Sequence, residues 1–369
     1  MIEHETQKRI FGLDLMRALA ILMVVFGHCV WIFPEGNSIF HQILVLSSFL
    51  GVEIFFVLSG FLIGKILYQL YLNENFNFQT VITFLKRRWF RTLPNYYLIL
   101  IINIGIATIV NYPIASSWKY FLFLQNASTT MLSFFPESWS LSVEEFAYLV
   151  LPITILLISF LFNNKKNNFL YTLFLLILLF ISNKWNYNSI TNNTSLTQWN
   201  MSLKAVVLYR LDSIFIGVVC SWFYFNYNSI WQKFKTIFFL FGCLMFLFQF
   251  IGIGYFGLLI ENHPFLWNVI YLPLVSIAIS CFLPFLSEWK IETSFFNKPV
   301  VFISKISYSM YLLHYSVVLQ LLMHFYSDYF QNFIQKISLA AIYFTITIVL
   351  SYFLYRFYEK PVMDLRDKI

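Results

Sequence analysis

Few residues of this 369-residue sequence could do chemistry, and they sit where charge is costly. Asp14, Arg17 and His28 lie in the run FGLDLMRALAILMVVFGHCVWIF, residues 11–33, long and apolar enough to cross a bilayer as a helix. Arg17 and His28 are eleven residues apart. At about 100° and 1.5 Å per residue they leave one helix face within about 20° of each other, about 16 Å apart along the axis. Ionisable groups inside a membrane are expensive and mark functional routes, so the pair reads as two ends of one pathway. An imidazole suits general-base chemistry near neutral pH once a partner fixes its tautomer.

Glu144 and Glu145 are the candidate partners. They stand in SWSLSVEEFAYL, residues 138–149, where the fourth apolar run begins on the same side of the membrane as His28. At about the depth of His28, either carboxylate can take the imidazole N–H, with Glu144 the slight favourite. The plainer reading is that both carboxylates mark a helix N-terminus, where the dipole favours them. At the opposite end FLKRRWFRTLPNYY, residues 84–97, puts Arg88 and Arg91 on one helix face ahead of Pro94, which is expected to stop or kink that helix. Guanidinium forks match phosphate oxygens, yet cytoplasmic helix ends collect positive charge for topology alone. These residues leave both readings open.

The elements that must position these groups follow from hydropathy. The chain is 59% hydrophobic and only 11% charged, with mean hydropathy +0.71, whereas a soluble domain carries about 25% charged residues. An all-α polytopic membrane protein follows, and the net charge of +7 is no nucleic-acid signal. Apolar runs predict ten spans near 12–33, 45–66, 93–112, 143–162, 168–183, 204–224, 235–256, 264–286, 301–325 and 334–357, in one membrane domain over 1–369. With the N-terminus inside, 19 of the 24 Lys and Arg fall on the cytoplasmic side, 4 fall outside, and Arg210 lies within a span. Both termini are therefore expected in the cytoplasm. The aromatic segment 113–142 reads as a re-entrant or interfacial cap before the fourth span, and 184–203 as a solvated loop. No cleaved leader and no flanking soluble domain is expected. Two glycosylation sequons, at Asn126 and Asn193, carry no weight. The four cysteines and six histidines show no metal-ligand spacing, so no metal is expected.

Several segments, taken in order, resemble the acyltransferase family 3 membrane proteins. They are Asp14-x-x-Arg17 with His28, Phe55 to Leu62 around Ser59-Gly60, Arg88-x-x-Arg91-x-x-Pro94, Ser140 to Glu145 followed by Tyr148, Arg210-x-Asp212, the stretch Ser307-x-Ser309-x-Tyr311 with His314, and Glu359 with Pro361. One departure is Phe146-Ala147 where the family carries Gln-Phe, which bears on acceptor choice. By residue type alone, Ser59-Gly60 is a packing pair and Ser307, Tyr311 and His314 are a hydrogen-bonding stripe. Arg210 needs a partner within the membrane, Asp212 or Glu145 being candidates.

The resemblance implies a bacterial cytoplasmic-membrane enzyme without a permanent cofactor. It moves an acyl group, taken as acetyl, from cytoplasmic acyl-CoA to a hydroxyl of an extracytoplasmic or lipid-linked saccharide. Arg88 and Arg91, joined by Arg17, would handle the donor, with Ser307, Tyr311 and His314 along its channel. His28 would act as general base or as acyl carrier, and Asp14, Ser59, Arg210 and Asp212 would bind substrate or hold structure. The competing class is a multi-span exporter of a sugar-containing or anionic small molecule, since transport routes also use buried charge. Against it, no two-half repeat and no paired broken spans are visible.

Overall fold

A computed structural model describes residues 9–34, 38–73, 76–114, 116–162, 164–191, 194–291, 297–329 and 332–366. Lys8, Lys368, His4 and the Asn193 sequon position lie outside the described residues. The described residues form helices and connecting segments without a strand. Among the described residues, nine helices are long and apolar enough to span a bilayer: α1 (Phe11–Trp31), α2 (Ile39–Leu72), α3 (Phe78–Ile109), α4 (Pro136–Leu161), α5 (Lys165–Ile190), α7 (Lys235–Tyr255), α8 (Leu266–Glu288), α9 (Asn297–Tyr326) and α10 (Phe333–Leu365). The tenth expected span is the shorter apolar helix α6 (Leu211–Asn226). The protein is a polytopic membrane protein.

The core forms where α1 packs on α2 and α9, and α2 packs on α6. Small residues set these approaches. A Cβ at Gly60 would lie 2.0 Å from the Ile214 carbonyl oxygen, and one at Gly217 would lie 2.2 Å from that of Val57. Gly60 therefore packs, as its pairing with Ser59 suggested, and brings α2 and α6 to backbone contact.

Three boundaries differ from the sequence reading, and each moves a functional group. Pro94 lies inside α3 rather than ending it. A proline lacks an N–H and disfavours an upstream turn, but the surrounding helices hold α3 continuous, as membrane bundles can. Arg88 and Arg91 thus sit within a spanning helix. The fourth span begins at Pro136, through a short 3-10 turn, and not near 143. Glu144 and Glu145 then lie one to two turns deeper than the start of that span would suggest. The fifth span extends to Ile190, so Lys184 is a fully buried helix residue and not a loop cation. Trp199 and Leu203 are buried as well, whereas 194–198 are exposed, so the expected solvated loop shrinks to the stretch between Ile190 and Trp199.

The aromatic segment before α4 does cap the bundle. Tyr120, Phe123, Phe134 and Phe135 are buried. The Asn126 side chain is fully buried and donates to the carbonyls of Trp139 and Ala205 at 3.0 and 2.6 Å, which closes it to glycosylation.

Candidate functional site

Arg17, Arg88 and Arg91 meet at one cavity. It offers about 120 Å³ to water-sized molecules and is also lined by Ser59, Glu144, Tyr148, Ser307 and Tyr311. Eight of the residues singled out from sequence or motif therefore converge from five helices. Arg17 reaches Asp14 at 3.9 Å, while Asp14 is itself held by Arg9 at 2.5 Å and by the Ser304 hydroxyl at 2.7 Å. Asp14 thus ties α1 to α9 and fixes the depth of Arg17. On the far wall the Ser59 hydroxyl and the Tyr148 phenol lie 2.6 Å apart, and Tyr148 donates to Glu144 at 3.2 Å. Glu145 faces α3 instead, accepting from the Thr92 hydroxyl at 2.8 Å.

Neither glutamate meets His28. The expected imidazole–carboxylate pair is not formed: the earlier start of α4 carries Glu144 to the arginine cavity and Glu145 to Thr92 of α3. His28 finds its orienting partner in its own helix: the Val24 carbonyl lies 2.8 Å from Nδ1. A carbonyl only accepts, so Nδ1 carries the hydrogen and Nε2 keeps its lone pair. The His28 ring packs edge-to-face on His314, with centroids 4.7 Å apart, and lies 4.9 Å from Tyr315. His314 repeats the arrangement: Nδ1 lies 2.8 Å from the Tyr311 carbonyl, while its buried Nε2 has no partner. His314 therefore stands beside His28 and not on the arginine cavity, unlike Ser307 and Tyr311.

The local backbone explains this. α9 widens into a π-helical segment over His314–Leu319, a feature frequent at functional sites because it re-aims side chains. Glu137 holds that segment. Its Oε1 accepts from the Ser316 N–H at 3.0 Å and from the Ser316 hydroxyl at 2.5 Å. Its buried Oε2 has no partner. The Glu137 carbonyl accepts from the Tyr311 phenol at 2.9 Å, and Ser140 lies 2.6 Å from that phenol. Sequence reasoning missed Glu137, and the signal was an acidic residue just ahead of a span that also carries Glu144 and Glu145.

Tyr311 is the hinge between the two places. It lines the arginine cavity, and its ring lies 5.6 Å from that of His314. The expected continuous passage from Arg17 to His28 is thus interrupted by a wall of Tyr311 and His314. Beyond the wall, a second cavity of about 330 Å³ is lined by Trp31, Asn103, Tyr315, Ser316, Gln320 and His324, among others.

Arg210 takes neither expected partner. It pairs with Glu53 of α2 at 2.5 Å, and Asp212 pairs with Lys184 of α5 at 2.5 Å, all four side chains being fully buried. Glu53 sits inside an apolar run and Lys184 was read as a loop, so neither was visible as a partner. These pairs hold α2, α5 and α6 together away from the cavity.

A family model described as an acyltransferase domain matches residues 10–356. The chain is similar to the O-acetyltransferase OatA of Staphylococcus aureus strains NCTC 8325 / PS 47, COL and MRSA252. Each alignment is 26% identical over 389 residues, taking in 95% of this chain and 57% of the relative. The chain thus spans under three fifths of the length of these curated relatives. No solved structure matches it.

Proposed function

Because the chain belongs to the acyltransferase domain family, we propose that it is a membrane O-acyltransferase drawing on acyl-CoA, with acetyl the expected acyl group. The observation that supports this most is the pair of cavities on either side of the His28–His314–Tyr311 wall, one cationic and one not. A nucleotide-bearing donor needs cations for its phosphates, and Arg17, Arg88 and Arg91 supply them in a planar, hydrogen-bonding form. Glu144 shares that cavity, and its carboxylate disfavours further entry of phosphate and leaves the neutral pantetheine arm to go on. Ser140 and the Tyr311 phenol then face the thioester.

At the wall an acceptor hydroxyl attacks the thioester carbonyl carbon. The new C–O bond forms as the C–S bond breaks, and the hydroxyl proton passes to Nε2 of His28 and from there to the departing thiolate. The Val24 carbonyl performs the orienting task first assigned to Glu144 or Glu145. It fixes the tautomer that leaves Nε2 basic. His314, with the same tautomer, lies one ring away and can share the proton. If His28 instead carries the acyl group, the same atom is the nucleophile and the kinetics become ping-pong.

The acceptor is a hydroxyl compound of the saccharide class on the extracytoplasmic side. The Arg17 end is assigned to the cytoplasmic side of a bacterial membrane, a reading the distribution of Lys and Arg supports. Lys184 and Lys204, two of the four cations counted outside, are drawn into the protein and so weigh less against that orientation. The test is proteoliposomes given labelled acetyl-CoA and a sugar acceptor. Base-labile label on the acceptor is expected. Intact passage of either compound without ester formation would replace this reading with transport.

A further inference from the structure

We infer that Lys204 takes an anionic group of the acceptor, a carboxylate carried near the hydroxyl that is acylated. This inference rests on the acyl-transfer reading and adds a charge to its substrate. Lys204 closes a π-helical segment, Asn200–Lys204, and the Met131 N–H pins that segment to the aromatic cap by donating to the Met201 carbonyl at 3.3 Å. The ammonium lies over the rings of Phe49 and Trp139, 5.6 and 5.5 Å from their centroids. Ring faces attract a cation, but they do not match its N–H donors as a carboxylate does. Among the described residues Lys204 has no ion pair and no side-chain hydrogen bond. The buried cations Lys184 and Arg210 are treated differently, the first ending on Asp212 and the second on Glu53. Glu53 is also the carboxylate whose charge reaches Lys204, but Arg210 holds it. Burial pushes the Lys204 amine down to about 8, a cost that an arriving anion relieves. The residue is half-buried, so the bundle does not seal it from a solute.

Two routes tie this ammonium to the histidines. Gly27, next to His28, meets the Ser48 backbone with no room for a Cβ, and Ser48 precedes Phe49. Trp139 precedes Ser140, whose hydroxyl lies 2.6 Å from the Tyr311 phenol, and the Tyr311 ring packs on that of His314. The field of Lys204 reaches His28 itself. Arg17, Arg88 and Arg91 line their cavity without Lys204, so the anion it takes is not the donor's phosphate.

The first test is amine acetylation of the full-length protein in nanodiscs by a neutral succinimidyl ester near pH 8, read by peptide mass spectrometry. Saturating methyl β-D-glucuronide should slow modification of Lys204 at least about tenfold, and methyl β-D-glucoside at matched ionic strength should not. The exposed Lys233 serves as the unaffected reference. This arm needs no variant, so a folding failure cannot blunt it. In the second, labelled acetyl-CoA is supplied, and the acceptor KM for the glucuronide should lie at least about tenfold below that for the glucoside. Lys204→Met should lose that preference and Lys204→Arg should keep it. Modification of Lys204 at one rate with either sugar, or a preference unchanged in folded Lys204→Met, overturns the inference. Protection by the glucuronide without ester formation supports the anion site and removes the acyl-transfer reading alone.

Discussion

His28 shows how little an imidazole needs from its neighbours to have its tautomer set. Its tautomer is set by a carbonyl four residues back on its own helix, so no separate acidic partner is required. Glu137 acts one step away, holding the π-helical turn that presents His314. Glu137→Ala leaves the Ser316 N–H and hydroxyl without their acceptor. It should cost about 1–3 kcal/mol of stability, read by denaturant unfolding in detergent, and lower turnover more than it changes donor KM. An unchanged unfolding midpoint would show that Ser316 finds another acceptor. Lys204 gives a pH signature. It lies over the rings of Phe49 and Trp139, outside the spans, and burial pushes its amine down to about 8. The unfolded chain therefore holds more protons between about 8 and the ordinary lysine range near 10.5, so this group's contribution grows as pH rises across that window. Lys204→Met should flatten that part of the stability profile, measured by thermal unfolding against pH.

The elements show where sequence stopped being informative. Hydropathy found the nine described helices that are long and apolar enough to cross a bilayer, because bilayer thickness imposes a length that an apolar run must meet. It also placed Arg17 and His28 on one helix face, since the pitch of a helix is fixed. The depth of Glu144 was not legible. The polar serines of Ser138 to Ser142 look like an exposed helix start, but tertiary contacts bury them: Ser138 and Ser142 both accept from the Gln125 side chain. Pro94 misled in the same way, since a proline stops a helix in water and is carried along within a bundle. The Glu53–Arg210 pair joins residues 157 apart in sequence, which no local pattern reveals. Packing between elements is testable at Gly217. Gly217→Leu sets a Cβ against the Val57 carbonyl oxygen and forces α2 from α6, at a cost of about 1–3 kcal/mol or more. Detergent-solubilised protein should lose thermal stability, and a wild-type midpoint would place the helix contact elsewhere.

Among the described residues, one cavity is lined by Tyr311 and another by Tyr315 and Ser316, on either side of His314 in α9. Donor binding should therefore separate from chemistry. Arg91→Ala removes a charge-assisted contact worth about 1.5–3 kcal/mol, which corresponds to a rise in acetyl-CoA KM of about 10- to 100-fold, read from initial rates. The most direct measurement is made on His28→Ala in nanodiscs, with the acetyl-CoA dissociation constant and acceptor esterification taken on one preparation. Binding within about twofold of wild type, with esterification lower by about 10²- to 10⁴-fold, is the predicted result. Esterification at the wild-type rate would contradict the account, because the imidazole assigned to the proton transfer would then take no part in it.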